Sequence, residues 1–359
     1  MMQRMKVGII GTGGIALACA AWISQRHHDV SVWSPRGGGA EALRTTPLTS
    51  SGVLQASVKV HVVDSPGELA RDADVLLIAV PVNWHKTVMD ALIPHLRAGQ
   101  LVIVSSMGSL SALYLYESAL EHGIAIAVAS FGTTVLTARR HDATHVKVMT
   151  RRTSLGVSCL PRSSQNAALA TCEALFGSGF TMDENALATA LTNINPVAHG
   201  PLALFNWTRI ERGENWPQYH FMTPRVAAVI EQLDNERRAV ANAFGLQVRT
   251  IEKHFAQSFN TESEQLADIA AELHHMRGGP PGPTDTQTRF LSEDVPYGLV
   301  FTLALSHVAQ IPTPATEATA AMAGLITGED FTAINNLVFP LRLPAESVSG
   351  LLARVNASR

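Results

Sequence analysis

Cysteine, aromatic residues and charge are all scarce in this chain of 359 residues. The three cysteines, Cys19, Cys159 and Cys172, are odd in number and lack the spacing of a metal site. A disulfide framework is therefore disfavoured, and we expect reduced thiols in a cytoplasmic protein. The net charge is only −3, which gives no electrostatic reason to expect a nucleic acid or an anionic membrane as a partner. The sequence shows no internal repeat, and nothing in it requires a metal ion.

The chain is long for a single hydrophobic core, and its pattern changes near residue 180. Residues 1–182 alternate predicted strands with predicted helices. From residue 183 onward the sequence has a helical period and is rich in alanine and leucine. We therefore predict an α/β domain over residues 1–182, followed by an all-α domain over residues 183–359.

The first strand and helix surround a glycine-rich turn. The apolar residues 7–10 predict a buried strand, residues 11–13 read Gly-Thr-Gly, and residues 15–23 are compatible with a helix. Strand, glycine turn and helix in this order form the G-x-G-x-x-A fingerprint of a Rossmann dinucleotide-binding domain. A pyrophosphate would lie at the helix N-terminus, where free N–H groups and the helix dipole favour an anion. The predicted cofactor-binding residues of this turn are Gly11, Thr12, Gly13, Gly14, Ile15 and Ala16.

This stretch has two alternative interpretations. Glycines also occur in ordinary strand–helix turns, but a second predicted strand follows at residues 29–33, at the spacing of the dinucleotide fold. The apolar run over residues 7–23, behind Arg4 and Lys6, also resembles a signal peptide. That run is short for a membrane span and its glycines fall at the fingerprint positions, so the cofactor turn is favoured.

The residues after the second strand predict the choice of cofactor. Domains specific for NAD commonly place a carboxylate here to bind the ribose hydroxyls, but no carboxylate appears before Glu41. Ser34 offers a hydroxyl instead and Arg36 a guanidinium, which suits a 2′-phosphate. We therefore expect NADPH, with NADH as the weaker alternative. An arginine that simply lies in solvent is the other interpretation of Arg36.

Further strands are predicted over residues 75–81, 100–106, 124–129, 146–150 and 156–160, with a helix over about 85–96. The strand that ends at Val80 and Pro81 should present its carboxyl end to the nicotinamide half of the cofactor. In the second half, Asp183 to Asn185 can cap a helix that runs through His199. Other helices are predicted over residues 223–245, 249–258, 263–273, 296–325 and 344–354.

Two clusters in the second half contain candidate catalytic and substrate-binding residues. Asn195 and His199 lie one turn apart and would share one face of a helix, while Pro196 and Pro201 predict a kink or break beside the histidine. A histidine with an ordinary core role is the alternative interpretation.

The second cluster is the segment 288–299, which reads TRFLSEDVPYGL. Arg289 can hold a carboxylate in a bidentate fork, and Asp294 can orient an imidazole and stabilise its charged form. Arg289 and Glu293 can instead form an ordinary ion pair on a helix surface.

These two clusters resemble the opine dehydrogenase family, which includes the octopine and nopaline dehydrogenases. The later Ile-Pro-Thr-Pro of residues 311–314 fits the same pattern, and the resemblance covers nearly the whole chain. It implies a Rossmann domain followed by a helical domain of the opine dehydrogenase type. It also implies His199 as the catalytic acid/base, Asp294 as its partner, and Arg289 as the anchor of a substrate carboxylate. We predict Asn195 as a second substrate-binding residue. The chain departs from the family at Gly200, where the family usually has proline directly after the histidine.

The resemblance implies an enzyme that joins the amine of an amino acid to a 2-oxo acid and reduces the resulting imine with NAD(P)H. Its partners would be these small molecules, and a homodimer is left open. Two alternatives remain, a reductase of 2-oxo or 3-oxo acids without an amine partner and a non-catalytic NADPH-binding sensor. The presence of Asn195, His199, Arg289 and Asp294 together argues against the sensor.

The most specific expectation is a direct hydrogen bond between His199 and Asp294. An imidazole that donates a proton to an imine needs one ring nitrogen facing the substrate and the other fixed by an acceptor. Asp294 is preferred to Glu293 because it occupies the family's position and because Glu293 can pair with Arg289.

Overall fold

The computed structural model describes residues 4–358, which form two units. The first unit extends to Ala190 and also includes the C-terminal segment from Ala353, and the second unit is Leu191–Leu352. The predicted domains, residues 1–182 and 183–359, include the two chain ends. Of these ends, residues 1–3 and 359 lie outside the described residues. Within the described part, the helices are too short or too polar to cross a membrane.

The strands of the first unit are β1 Lys6–Ile10, β2 Asp29–Trp33, β3 Leu48–Gly52, β4 Ala56–Val58, β5 His61–Val63, β6 Val75–Ile78, β7 Leu101–Ser105, β8 Ala127–Phe131, β9 Leu136–Arg140, β10 His145–Arg151, β11 Leu155–Leu160 and β12 Phe180–Met182. They form an eight-stranded sheet with the order β12-β11-β8-β7-β6-β1-β2-β5 and a smaller sheet with the order β4-β3-β10-β9.

The centre of the large sheet is parallel. β1 pairs in parallel with β2 and β6, and β6, β7 and β8 continue in the same direction, whereas β11 is antiparallel to β8. The central strands are almost continuously apolar because both faces of a parallel sheet are covered. The carboxyl ends of β1, β6, β7 and β8 therefore lie along one edge, where the predicted cofactor residues follow.

The helices of the first unit are α1 Gly14–Gln25, α2 Pro66–Asp72, α3 His85–Leu92, α4 Ser111–Glu121 and α5 Gln165–Phe176, and α6 Ala186–Leu191 ends at the unit boundary.

The smaller sheet explains the long apolar run at the start of the chain. Residues of α1 share one buried cluster with Val32 and Leu77 of the large sheet and with Leu136 and Val146 of the small one. Because α1 is covered by both sheets, it needs no polar face.

The three cysteines lie in this core. Cys19, Cys159 and Cys172 are all unpaired, and burial raises the pKa of each thiol to about 12. They therefore stay protonated and act as small apolar side chains.

The second unit is helical. Its elements are α7 Asn195–Leu204, α8 Trp207–Glu211, α9 Pro224–Ala243, α10 Ile251–Phe259, α11 Leu266–Arg277, α12 Arg289–Ser292, a π-helical turn Val295–Leu299, α13 Val300–Ala309, α14 Pro314–Thr327 and α15 Phe331–Ile334, and α16 Val348–Val355 crosses the unit boundary. Buried residues of α7, α9, α10, α11 and the π-turn share one apolar cluster.

Two predicted helices of this unit are interrupted. The helix expected to run from residue 183 through His199 stops at Leu191 and restarts at Asn195. The Asn193 side chain accepts the Asn195 N–H, and Pro196 fits the first turn of the new helix because its missing N–H is not needed there. The helix expected over residues 296–325 begins as the π-turn and breaks again before Pro314.

A buried network holds the chain on both sides of the first break. The Arg237 guanidinium on α9 donates to Asp234 and to the carbonyl oxygens of Leu191 and Arg249, and Asp234 also accepts the Ile251 N–H. Burial lowers the pKa of Arg237, which is compensated by its carboxylate partner. The end of α6 is thereby fixed just before α7 begins.

Candidate active site

The predicted hydrogen bond between His199 and Asp294 is present. His199 Nδ1 donates to Asp294 Oδ2 at 2.8 Å, although the two residues are 95 positions apart in the sequence. The two side chains are only 15% and 11% exposed, so little water competes for this contact. With Nδ1 held by the carboxylate, the neutral ring carries its proton there, and Nε2 is the nitrogen left for exchange. Within residues 4–358, no group hydrogen-bonds to Nε2.

A close approach of the Gly298 backbone to the Pro196 ring brings the pair together. A Cβ atom at Gly298, in the π-turn, would lie 2.1 Å from Pro196 Cγ in the first turn of α7. The π-turn is also tied down by Asn335, whose amide donates to the Pro296 carbonyl at 2.7 Å. Since Asp294 directly precedes the π-turn and His199 lies one turn along α7, this packing places the carboxylate beside the imidazole. Isolated π-turns of this kind are frequent at functional sites.

Phe290 also holds the imidazole, and the sequence analysis did not identify it. Its ring is parallel to that of His199, with centroids 3.8 Å apart and an interplanar angle of 3°. The Phe290 N–H bonds to the Thr288 hydroxyl, which caps α12, and the side chain is buried. The carboxylate thus fixes one nitrogen and the phenyl ring fixes the plane. An apolar residue between Arg289 and Leu291 looks like an ordinary core position in the sequence.

The other predicted residues of this cluster lie beside the pair. Arg289 is exposed at the start of α12, and in the described part of the chain it forms no ion pair, so the alternative Arg289–Glu293 pair is not formed. Asn195 begins α7 one turn before His199 and is half-buried. Gly200 does not disturb the helix, since α7 continues through Pro201 to Leu204.

The glycine turn of the first unit has the geometry of a dinucleotide site. Gly11 has φ +118°, and a Cβ there would lie 2.7 Å from the Ala79 carbonyl oxygen, so only glycine fits. A Cβ at Gly13 would meet nothing within 4 Å, which leaves open space where a pyrophosphate would approach. The N-terminus of α1 has neither a capping side chain nor an acidic residue in its first turn. A dinucleotide phosphate therefore fits these residues.

Gly14 and Ala16 have packing roles in the same turn. A Cβ at Gly14 would lie 2.9 Å from the backbone nitrogen of Arg140, because β9 crosses the start of α1. The Arg140 guanidinium donates to the carbonyl oxygens of Thr12 and Gly39 at 2.8 and 3.1 Å. Arg140, which the sequence analysis missed, thus ties the glycine turn to the loop after β2. Ala16 is fully buried and Ile15 is half-buried.

The loop after β2 carries an exposed cation. Arg36 lies with its guanidinium carbon 4.4 Å from the centroid of the Trp84 ring, in a cation–π contact. The Ser34 hydroxyl lies 3.4 Å from that of Thr12. Glu41, the first carboxylate after the strand, is engaged by Arg44 at 3.0 Å.

The carboxyl ends of β6 and β7 form the other side of the predicted cofactor site. Val80 and Pro81 follow β6, and the Val80 carbonyl accepts a hydrogen bond from His85 Nε2 at 3.2 Å. His85 Nδ1 lies 2.8 Å from the Ser111 hydroxyl. At the end of β7 the Ser105 hydroxyl is buried, and it has no hydrogen-bond partner in the described part of the chain. A polar group of a ligand at this edge would satisfy it.

Comparison with known proteins agrees with both halves of this description. Residues 182–327 match the family model described as NAD/NADP octopine/nopaline dehydrogenase, alpha-helical domain. Residues 6–108 match the model described as NADP oxidoreductase, coenzyme F420-dependent. The opine dehydrogenase of Arthrobacter sp. (strain 1C) is 26% identical over 365 residues, which cover 99% of this chain and 100% of that protein.

Two solved structures share the fold. Octopine dehydrogenase with NADH and L-arginine has a TM-score of 0.82 at 19% identity, covering 99% of this chain and 98% of that one. Yersinopine dehydrogenase with NADP+ bound has a TM-score of 0.73 at 16% identity, covering 96% and 100%. The predicted arrangement, a Rossmann domain followed by a helical domain, is confirmed. Residues 182–327 therefore form an alpha-helical domain of the octopine/nopaline dehydrogenase type, and the chain, which resembles opine dehydrogenases over nearly its whole length, is an NAD(P)H-dependent oxidoreductase.

Proposed function

We propose that this protein condenses the amine of an amino acid with a 2-oxo acid and reduces the resulting imine, with His199 as the catalytic acid/base. The observation that carries the proposal is the 2.8 Å hydrogen bond from His199 Nδ1 to Asp294, both shielded from water. An imine carbon accepts hydride far more readily when its nitrogen is protonated. Histidine is suited to hold that proton near neutral pH.

In this proposal Asp294 and Phe290 fix the imidazole so that Nε2 alone meets the substrate. The carboxylate also stabilises the ring while it carries two protons, because the positive charge lies beside a negative one. The cofactor supplies the hydride when it is bound. The proton on the imine nitrogen is supplied or held by Nε2 of His199.

Arg289 and Asn195 are the proposed substrate-binding residues. Arg289 is exposed and without an ion pair in the described part of the chain, so its guanidinium is available for the carboxylate of the 2-oxo acid. The Asn195 side-chain amide makes no hydrogen bond within residues 4–358 and lies one turn from His199. Holding the reacting carbon at about 3–3.5 Å from its partner atom is the task of such anchors.

For the cofactor we propose a preference for NADPH. The support is the pair Ser34 and Arg36 after β2, with Arg36 stacked on Trp84 and the nearest downstream carboxylate, Glu41, already engaged. We further propose that residues 1–182 bind the cofactor and residues 183–359 bind the substrates. The cytoplasmic location stays a prediction that rests on the three free thiols.

The decisive experiment is a screen of NADPH oxidation over amino acids crossed with 2-oxo acids, with mass spectrometry of the product. We expect oxidation that requires both substrates and a secondary amine that contains the carbon skeletons of both. Oxidation by a 2-oxo acid alone, with a hydroxy acid as product, would instead identify a ketone reductase. NADPH binding without turnover for any pair would identify a sensor.

A further inference from the structure

Arg140 is a cation of the first unit that binds only backbone carbonyl oxygens. It is the last residue of β9, and it donates from Nη1 to Thr12 at 2.8 Å and from Nη2 to Gly39 at 3.1 Å. The same side chain donates from Nε to the Asp142 carbonyl at 2.7 Å and from Nη2 to the Ala143 carbonyl at 3.3 Å. Within residues 4–358, no carboxylate lies at ion-pair distance from it. The guanidinium therefore holds backbone segments in place.

The two distant carbonyls belong to the two loops that are predicted to bind the cofactor phosphates. Thr12 is the middle residue of the glycine turn after β1 and lies 128 positions from Arg140. Gly39 lies 101 positions from Arg140, in the loop after β2. Ser34 and Arg36 begin the same loop. Since β1 and β2 are adjacent parallel strands, both loops leave the same edge of the sheet, and Arg140 bridges the predicted pyrophosphate site and the predicted 2′-phosphate site.

The loop after β2 needs such a support because it contains three consecutive glycines. Gly37 and Gly38 have φ values of +67° and +61°, and a Cβ at either would meet nothing within 4 Å in the described part of the chain. Glycine loses more conformational freedom than any other residue when it is ordered. At Gly39, in contrast, a Cβ would lie 2.5 Å from the Thr12 hydroxyl oxygen. The loop thus meets the glycine turn at Gly39, the residue whose carbonyl Arg140 holds.

We propose that Arg140 is a positioning residue for the 2′-phosphate of NADPH, because it holds the loop of residues 34–39 against the glycine turn. The inference rests on the proposed preference for NADPH, in which Arg36 contacts that phosphate. When the loop is already ordered in the free protein, this contact contributes its full free energy to binding. Without Arg140 the loop is ordered only on binding, and the entropic cost offsets the contact. Arg140 acts through the loop, since its own N–H groups are engaged by four carbonyls.

The test is a double-mutant cycle of Arg36→Ala and Arg140→Gln, with the Kd of NADPH and of NADH measured by fluorescence titration. Arg140→Gln should raise the Kd of NADPH about 10- to 100-fold and that of NADH less than about threefold, since NADH has no 2′-phosphate. In the Arg140→Gln background, Arg36→Ala should raise the Kd of NADPH less than about threefold, against about 10- to 100-fold in the wild-type background. The two effects are coupled because Arg36 depends on the loop that Arg140 holds.

The control is Arg139→Gln, which removes the same charge from the exposed neighbour on β9. It should change both dissociation constants less than about twofold, since an exposed charge is screened by salt. Arg140→Lys keeps the charge but lacks the fork that reaches two carbonyls, so its ratio of the two constants should lie close to that of Arg140→Gln. If circular dichroism shows that Arg140→Gln does not fold, the cycle is carried out with Arg140→Lys, and the same coupling is expected.

Three results would overturn the proposal. They are an equal effect of Arg36→Ala in both backgrounds, an equal rise of both dissociation constants in Arg140→Gln, and recovery of the wild-type ratio in Arg140→Lys. If Arg36→Ala leaves the ratio unchanged in the wild-type background, the proposed preference for NADPH itself fails, and the inference fails with it. That result is seen before any variant of Arg140 is made.

Discussion

At the scale of single residues, the candidate site is a histidine, His199, whose ring is held in one orientation by two contacts. Asp294 holds Nδ1 at 2.8 Å and Phe290 stacks on the ring at 3.8 Å, so the tautomer and the plane are both set. Both partners are far from His199 in the sequence, and they are the first and the last residue of the segment 290–294. One nitrogen is left with a defined direction, which is what a general acid requires.

Replacing Asp294 with asparagine tests the charge of this contact. Asp294→Asn keeps the size of the side chain, but the amide cannot stabilise a doubly protonated ring, so we expect kcat to fall about 10²- to 10⁴-fold. The Kd of NADPH and the melting temperature should stay close to the wild-type values. Glu293→Gln is the matched control and should lower kcat less than about threefold. Equal losses in the two variants would contradict the assignment of Asp294.

Arg36 carries the prediction on the cofactor. Removing its guanidinium in Arg36→Ala should raise the Kd of NADPH about 10- to 100-fold, while the Kd of NADH changes little, because NADPH alone has the 2′-phosphate. Fluorescence titration of both cofactors measures the two dissociation constants. Trp84→Phe is a useful companion, since it alters the ring beneath Arg36 without removing the charge. A ratio of constants unchanged from wild type in Arg36→Ala would rule out the role.

At the scale of elements, the sequence predicts what depends on periodicity and misses what depends on packing. β1, β2, β6, β7 and α1 are predicted because each carries a strong local pattern. Five strands are missed: β4, β5 and β12 have only three residues each, and β3 and β9 are only partly buried. The break before α7 was indicated by Pro196, but the π-turn was not, because it depends on the contact of Gly298 with that proline.

The contact between the π-turn and α7 gives a prediction at this scale. In Gly298→Ala the new methyl group would meet the rigid Pro196 ring, so the free energy of unfolding should fall by about 1–3 kcal/mol. The turn would move away from α7, and kcat should fall with it as Asp294 separates from His199. In Gly200→Ala the methyl group meets the flexible Leu299 side chain at 3.1 Å and the Thr319 methyl group at an ordinary 3.6 Å, and alanine favours the helix. The free energy of unfolding of Gly200→Ala, measured by denaturant unfolding, should fall by less than about 1 kcal/mol. If Gly298→Ala has the stability and the kcat of the wild type, the packing argument is refuted.

At the scale of the whole molecule, two histidines, His199 and His85, have different properties because different groups surround them. Both His199 and His85 lie near predicted active-site positions, yet only His199 has a carboxylate partner. His85 is fully buried between the Val80 carbonyl and the Ser111 hydroxyl, and burial lowers its pKa to about 4. The sequence cannot distinguish these environments, because they depend on which distant segments cover each ring. The pairing of His199 with Asp294 was predicted mainly because the family resemblance supplied the partner.

The buried His85 predicts how the stability of the protein depends on pH. Its pKa is lowered from 6.5 to about 4 in the folded state, so between these values the unfolded chain binds more protons. The stabilisation is fully present above pH 6.5 and is lost as the pH falls towards 4, with a total of roughly 3 kcal/mol for this group. In His85→Gln, which keeps a donor and an acceptor but does not titrate, this part of the loss should vanish. The measurement is the free energy of unfolding from pH 7.5 to 4 for the wild type, for His85→Gln and for His61→Gln, which alters an exposed histidine of β5. The His61 variant should follow the wild-type curve, and a His85→Gln curve parallel to wild type would show that His85 does not carry the acid sensitivity.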